Sequence, residues 1–251
     1  MDLKELESGV DPHTHWYYQS KKNPLLSFVR QVHSVTQAKL TIVDVGSGSG
    51  FFMYDLYEAL PELVSKIYLV DIGYSTEEIQ ATAGQVIEKR TSLPEGIENA
   101  IFVLMDVLEH VENDRAMLQQ LAASATGRNY FFITVPAFMS LWSGHDKFLG
   151  HFRRYTRQSL GAVLRQVGFR IDHSYYFYGL IFPAVWLVRR VKHGPAEPQS
   201  DMRPLNAWLN RLLKGLCAVE FPLRRANAIA GVSCVAEGTF NFTQTRANAP
   251  R

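Results

Sequence analysis

The densest chemistry in this chain lies in Asp44-Val45-Gly46-Ser47-Gly48-Ser49-Gly50, where a glycine recurs at every second position behind an acidic residue. Residues without a Cβ let the backbone turn sharply and let a ligand lie against it. A helix opening directly beyond such a turn offers free N–H groups to a carboxylate. Asp71 stands 21 residues after Gly50 and is followed by Ile72. At the end of a second strand, an acidic side chain can accept hydrogen bonds from both hydroxyls of a ribose. Turn, helix start and acid together describe a nucleoside site.

The spacing of the glycines narrows the nucleoside. A dinucleotide turn reads G-x-G-x-x-G, and here the third glycine comes one residue early. That favours S-adenosyl-L-methionine over NAD and points to a Rossmann-like domain. Methyl transfer from its sulfonium is an in-line displacement, so an enzyme contributes mainly alignment of the acceptor and, where needed, removal of its proton.

Histidine, which titrates near neutral pH, suits that second task. His110, His145 and His151 fall beyond the fourth and fifth predicted strands, at the edge where open α/β sheets bind ligands. His110 opens a helix, where packing and ligand contact are equally open; His145 and His151 are preferred as acceptor-side residues. Arg153, Arg154 and Tyr155 place forked positive charge beside an aromatic ring, a composition that grips phosphate or carboxylate. The same arginines can instead pin the loop to Asp146. Trp142, Phe148 and Phe152 add apolar surface. His13 and His15 do not share a helix face, and no His, Cys or carboxylate set has metal-ligand spacing, so no metal is expected.

These residues need a scaffold, and the chain alternates short apolar runs with amphipathic stretches, as in a layered α/β domain. The expected strands are residues 40–45, 66–71, 85–89, 100–106, 130–135, 170–178 and 231–240. Pro136 is expected to end the fifth because it cannot donate to a ladder. Helices are expected at 51–60, after an Asn113 or Asp114 cap, and after a Thr156 cap with a Gly168 stop. The expected organisation is an N-terminal helix and lid over 1–38, a cofactor-binding core over 39–179, a helical insertion over 180–227, and a last strand and tail over 228–251.

A chain of 251 residues with 47% hydrophobic residues can bury a full core. Its two cysteines, Cys217 and Cys234, form neither a disulfide framework nor a zinc knuckle, which fits a reducing cytoplasm. Residues 1–8 lack the basic and apolar regions of a secretory signal. Net charge is +2, yet residues 189–251 hold ten Lys or Arg against four Asp or Glu. Such a basic third attracts phosphate, an acidic carrier or anionic headgroups, although a solvated surface explains it as well. Residues 174–188 carry no formal charge, but this run is shorter than the roughly twenty residues a bilayer crossing needs. Its first half serves as strand six. What remains, Leu180 to Val188, with Trp208, Leu209, Leu212, Leu213 and Leu216, forms a candidate apolar platform or a peripheral membrane contact beside Arg189, Arg190 and Lys192, although a cover for the sheet explains it as well.

The motifs Val43 to Gly50, Val70-Asp71, Leu104-Met105-Asp106-Val107-Leu108-Glu109-His110-Val111 and Ile133-Thr134-Val135-Pro136 resemble successive motifs of class I S-adenosylmethionine-dependent methyltransferases. Leu141 to Asp146 and Gly150 to Thr156 further resemble a bacterial subgroup often associated with glycolipid, polysaccharide or polyene biosynthesis. Its chains also end in a Gly-x-Ser strand, as Gly231-Val232-Ser233 does here. The resemblance implies a seven-stranded, mostly parallel sheet with the last strand antiparallel. It implies that Asp44, Gly46, Ser47, Gly48 and Gly50 hold the methionine end, Asp71 and Ile72 the ribose side, and Asp106 and Val107 the reactive side. Many relatives set an acidic residue against adenine after the third strand, where this chain has Thr91 and Ser92.

The expected activity is methylation of a small-molecule, lipid-linked or carrier-bound acceptor. A nucleic-acid methyltransferase is the alternative, but its amino-directed forms often carry Asn- or Asp-Pro-Pro-Tyr after strand four, and this chain reads Asp106-Val107-Leu108-Glu109. An inactive binding protein is disfavoured by the intact glycine turn and Asp71.

Overall fold

Strands β1 (Leu40–Val45), β4 (Ala100–Met105) and β5 (Arg128–Pro136) are buried at nearly every position because helices cover both faces of the sheet they form. Successive side chains point to opposite faces and therefore sort into two cores. Ile42, Ile101, Val103 and Phe132 enter one, while Val43, Phe102, Leu104, Phe131 and Ile133 enter the other. The computed structural model describes residues 9–191 and 198–241. Residues 1–8, Lys192 and the tail from 242 onward, each given a reading from sequence, lie outside the described residues.

The sheet is completed by β2 (Val64–Val70), β3 (Ile87–Arg90), β6 (Arg170–Phe177) and β7 (Ser233–Asn241), in the order β3-β2-β1-β4-β5-β7-β6. Strands β1 to β5 pair in parallel, and β7 runs antiparallel between β5 and β6. This is the Rossmann-like class I methyltransferase fold. Every strand but β1 differs from expectation by one or two residues at a boundary, and two of these differences have a local cause. Strand β3 begins two residues late because Gln85 closes the turn after the preceding helix, its N–H bonding Thr82 O at 3.1 Å. Pro136 is the last residue of β5 rather than the first beyond it, paired there with Ser233.

On the first face lie α1 (Trp16–Thr36), α2 (Phe51–Ala59) and α8 (Ala207–Glu220). Leu25, Phe28, Val29 and Val32 of α1 are core residues, so this helix is a structural layer as well as a cover for the sheet's edge. Each such side chain stabilises the fold by about 1.5 to 3 kcal/mol on burial. On the second face, α4 (Asp114–Ser124) and α6 (Arg157–Gln166) contribute Leu118, Leu121, Leu160 and Leu164. Asn113 and Thr156 cap them with their side chains.

Two short helices lack an apolar stripe and rest on capping boxes: α3 (Thr76–Thr82), through Ser75 and Glu78, and α5 (Gly144–Leu149), through Ser143 and Asp146. The insertion between β6 and β7 holds α7 (Phe182–Val191) and α8. Among the described residues, no helix is long and apolar enough to cross a membrane.

Candidate active site

Gly46, Gly48 and Gly50 all adopt positive φ, 71°, 55° and 77°, which is why glycine recurs at these positions. Space also matters. A Cβ on Gly46 would lie 2.8 Å from Val107 Cγ2, and one on Gly50 2.7 Å from Leu69 Cδ1. Val107 thus seats the turn from below. Asp71 closes it: its Oδ2 accepts from Gly48 N at 2.9 Å and its Oδ1 from Gly73 N at 2.9 Å. Each carboxylate oxygen has a further acceptor position for a ribose hydroxyl. Ile72, next to it, is 92% exposed. Tyr74 reaches back over the turn, its hydroxyl donating to Gly48 O at 2.8 Å and meeting Ser47 Oγ at 2.8 Å. Burial pushes its phenol well above the usual range. Asp44 is 5% exposed at the strand's end, beneath the turn it precedes. The small residues, buried acid and Asp71 fit the aminoacyl and ribose ends of adenosylmethionine.

Asp106 follows β4 with φ of 54°, left-handed backbone that aspartate tolerates better than most residues. Three groups converge on its carboxylate. Thr134 Oγ1 donates to Oδ1 at 3.0 Å and Tyr17 OH to Oδ2 at 3.1 Å, while Lys21 ion-pairs with Oδ2 and also donates to Tyr17 OH at 2.8 Å. Lys21 is 5% exposed, so its ammonium depends on this carboxylate. The first turns of α1 therefore wall the edge of the sheet at the end of β4.

Beyond β5 the loop organises around Asp146, which is fully buried. Arg154 forks onto it, Nε to Oδ1 at 2.6 Å and Nη2 to Oδ2 at 3.0 Å; His151 Nδ1 lies 2.9 Å from Oδ1, and Ser143 N donates to Oδ2 at 2.8 Å. Burial alone would push this carboxyl up, but the His151 and Arg154 hydrogen bonds and the Arg154 charge hold it well below the ordinary range. The rings of His151 and His110 meet edge to face at 4.6 Å. Beside them is Glu109, fully buried, with neither carboxylate oxygen hydrogen-bonded among the described residues, and burial pushes its carboxyl up to about 8.

Placement of the expected residues divides them. His110 and His151 come together, whereas His145 accepts from Asp201 N at 3.1 Å. Arg154 and Tyr155, expected to touch an acceptor, are held by protein groups instead. Arg154 is taken by Asp146 and Ala137 O; Tyr155 is 2% exposed, its hydroxyl donating to Asp114 Oδ2 at 2.7 Å. Arg153 leans on Asp114 at 3.1 Å but stays partly exposed. Trp142 and Phe148 are half-buried and Phe152 is exposed. Thr91 and Ser92 lie exposed after β3. Lys21, Tyr17, Tyr74, Thr134 and Glu109 were not singled out from the sequence. Glu109 and Thr134 lie inside the quoted motifs and Tyr74 stands three positions beyond Asp71, so these three sit near enough to a motif to have been found, whereas Tyr17 and Lys21 do not.

A family profile described as a methyltransferase domain matches residues 14–174, more than half of the chain. No curated protein matches the chain significantly in sequence. Among solved structures, it is similar to a chain of the Haloferax volcanii complex between the Trm112 methyltransferase activator and its methyltransferase, with TM-score 0.51 and 14% identity over 92% of this chain and 96% of that one. It is also similar to a protein from Galdieria sulphuraria assigned as a sarcosine dimethylglycine methyltransferase, with TM-score 0.51 and 12% identity over 86% and 84% of the two chains. At such identities these structures speak for the fold alone. The glycine turn, the acid beyond β2 and the matched domain agree: the chain belongs to the methyltransferase domain family and is a methyltransferase dependent on S-adenosylmethionine.

Proposed function

We propose that the chain methylates an oxygen or carbon of a small-molecule, lipid-linked or carrier-bound acceptor that is apolar and anionic. The setting proposed is bacterial secondary or envelope metabolism, in the cytoplasm and in peripheral contact with the inner membrane. One observation carries this reading: the helical insertion meets the loop after β5. Arg189 of α7 bonds Leu141 O and ion-pairs with Asp201 at 2.9 Å, Asp201 N bonds His145, and the Phe138 and Phe182 rings meet at 5.6 Å. The insertion exposes Leu187, Val188 and Val191 on α7 and Trp208 and Leu212 on α8.

Apolar side chains exposed on the helices of the insertion, with arginines among them, suit a greasy, negatively charged molecule or an interfacial surface. Arg153, partly exposed, and Arg190, stacked over Trp186 at 5.3 Å, would bring positive charge. Asp71 and Ile72 would take the ribose and adenine sides of the cofactor, and His145 the acceptor's proton. The test is incubation of bacterial extracts with the enzyme and isotopically labelled cofactor, followed by mass spectrometry. Label is expected in an organic-soluble, anionic product. Label confined to nucleic acid, or to a small neutral water-soluble product, would overturn this acceptor class.

A further inference from the structure

We propose that Glu109, His110 and His151 form a binding site for one divalent transition-metal ion. The ligand atoms of all three lie within 4.8 Å of one another. A tetrahedral ion with bonds of about 2.0 to 2.2 Å separates its ligands by about 3.3 Å, so closure needs only small side-chain rotations.

Three features mark this as a site rather than a chance cluster. Glu109 is fully buried with neither carboxylate oxygen hydrogen-bonded among the described residues, an arrangement that is costly unless a cation or proton satisfies it. His151 is oriented from behind. Its Nδ1 lies against Asp146 Oδ1 at 2.9 Å, which makes Nδ1 the N–H donor and leaves the lone pair on Nε2, a buried atom with no hydrogen-bond partner among the described residues. A carboxylate behind the imidazole is how ligating histidines are commonly held, with ring orientation and tautomer fixed together. Finally, the nearby cations are already matched. Arg154 is ion-paired with Asp146 and Lys21 with Asp106, so neither is hydrogen-bonded to Glu109, whose carboxylate oxygens a bound ion would satisfy.

The backbone fixes the set as well. Phe152 N donates to Glu109 O at 2.7 Å, tying the loop that carries His151 to the single turn, Leu108–His110, that carries the other two ligands. Two imidazoles and one carboxylate favour zinc, cobalt or ferrous ion over magnesium or calcium, which require mostly oxygen ligands. Three protein ligands leave a coordination position for water or an acceptor oxygen, on the sheet edge that Asp106 occupies. The ion-binding claim does not depend on which acceptor is used.

The test is titration of the chelator-treated full chain with Co²⁺, followed by its visible absorption and by calorimetry, alongside Glu109→Gln, His151→Ala and Asp146→Asn. Wild type is expected to take up one Co²⁺ per chain with the spectrum of a low-coordinate site, and excess Mg²⁺ should not displace it. Glu109→Gln and His151→Ala should abolish that spectrum, and Asp146→Asn should weaken binding about 10- to 100-fold. Circular dichroism of Glu109→Gln, which keeps the side-chain shape, separates loss of ligand from loss of fold. Absence of stoichiometric uptake by wild type, equal uptake by folded Glu109→Gln, or displacement by Mg²⁺ would each overturn the proposal.

Discussion

The ammonium of Lys21, in the second turn of α1, rests on the carboxylate of Asp106 at the end of β4, 85 positions further along the chain. The pair fastens a helix packed across the sheet to the edge where the cofactor's reactive end is expected. Removing one partner of a buried pair leaves the other uncompensated. Lys21→Met is therefore expected to lower stability by about 1 to 3 kcal/mol, the range for a lost bond to a charged group. Urea unfolding of Lys21→Met, Asp106→Asn and the double variant gives the coupling. Additive losses would show that the two residues do not stabilise one another.

Asp71→Ala should weaken cofactor binding by about 1 to 3 kcal/mol as charged hydrogen bonds to the ribose disappear. The carboxylate also closes the glycine turn through Gly48 N, so part of the loss comes from a looser turn. Calorimetry with S-adenosylhomocysteine measures the change. A folded variant with unchanged affinity would remove Asp71 from the cofactor site.

Gly46→Ala meets two obstacles, a left-handed backbone and Val107 Cγ2 at 2.8 Å from the new methyl. The first costs about 1 to 2 kcal/mol and the overpacking about 1 to 3 kcal/mol. Adding Val107→Ala should restore the packing part and leave the backbone part. If the second substitution returns no stability, Val107 is not what confines the turn.

Arg154→Met should destabilise by about 3 to 5 kcal/mol, because it strands the buried Asp146 carboxylate without its forked partner. Asp146→Asn combined with Arg154→Met should lose less than the two single changes added together. Thermal or urea unfolding gives all three values, and strict additivity would contradict the pairing.

Cys217 and Cys234 are buried, and burial pushes their thiols up to about 11 and about 12. Since the thiolate is the reactive form, both should resist labelling near pH 8 in the native chain and react only on unfolding. Dithiobis(nitrobenzoate) kinetics with and without urea decide this. Native labelling at the rate of a free thiol would mean that these positions open readily.

The sequence by itself determined the sheet and the cofactor turn, because both are written in local patterns. Unbroken apolar runs such as 100–105 mark strands buried on two faces, and glycine alternation marks a backbone that needs positive φ. Capping residues Asn113 and Thr156 mark helix starts for the same local reason. What the tertiary structure alone decided is which side chains meet. His151 and Glu109 stand on different loops, and neither has a partner at metal-ligand spacing; only the docking of the loop after β5 on the turn after β4 brings them together. Arg154 read equally well as a ligand for an acceptor or for Asp146, and the choice fell to Asp146 once α5 had buried that carboxylate. Lys21 carried no signal, since a lysine on an amphipathic helix is ordinarily solvated. It is an ion-pair residue because α1 crosses the sheet at the height of Asp106, a matter of packing between layers that no local spacing encodes.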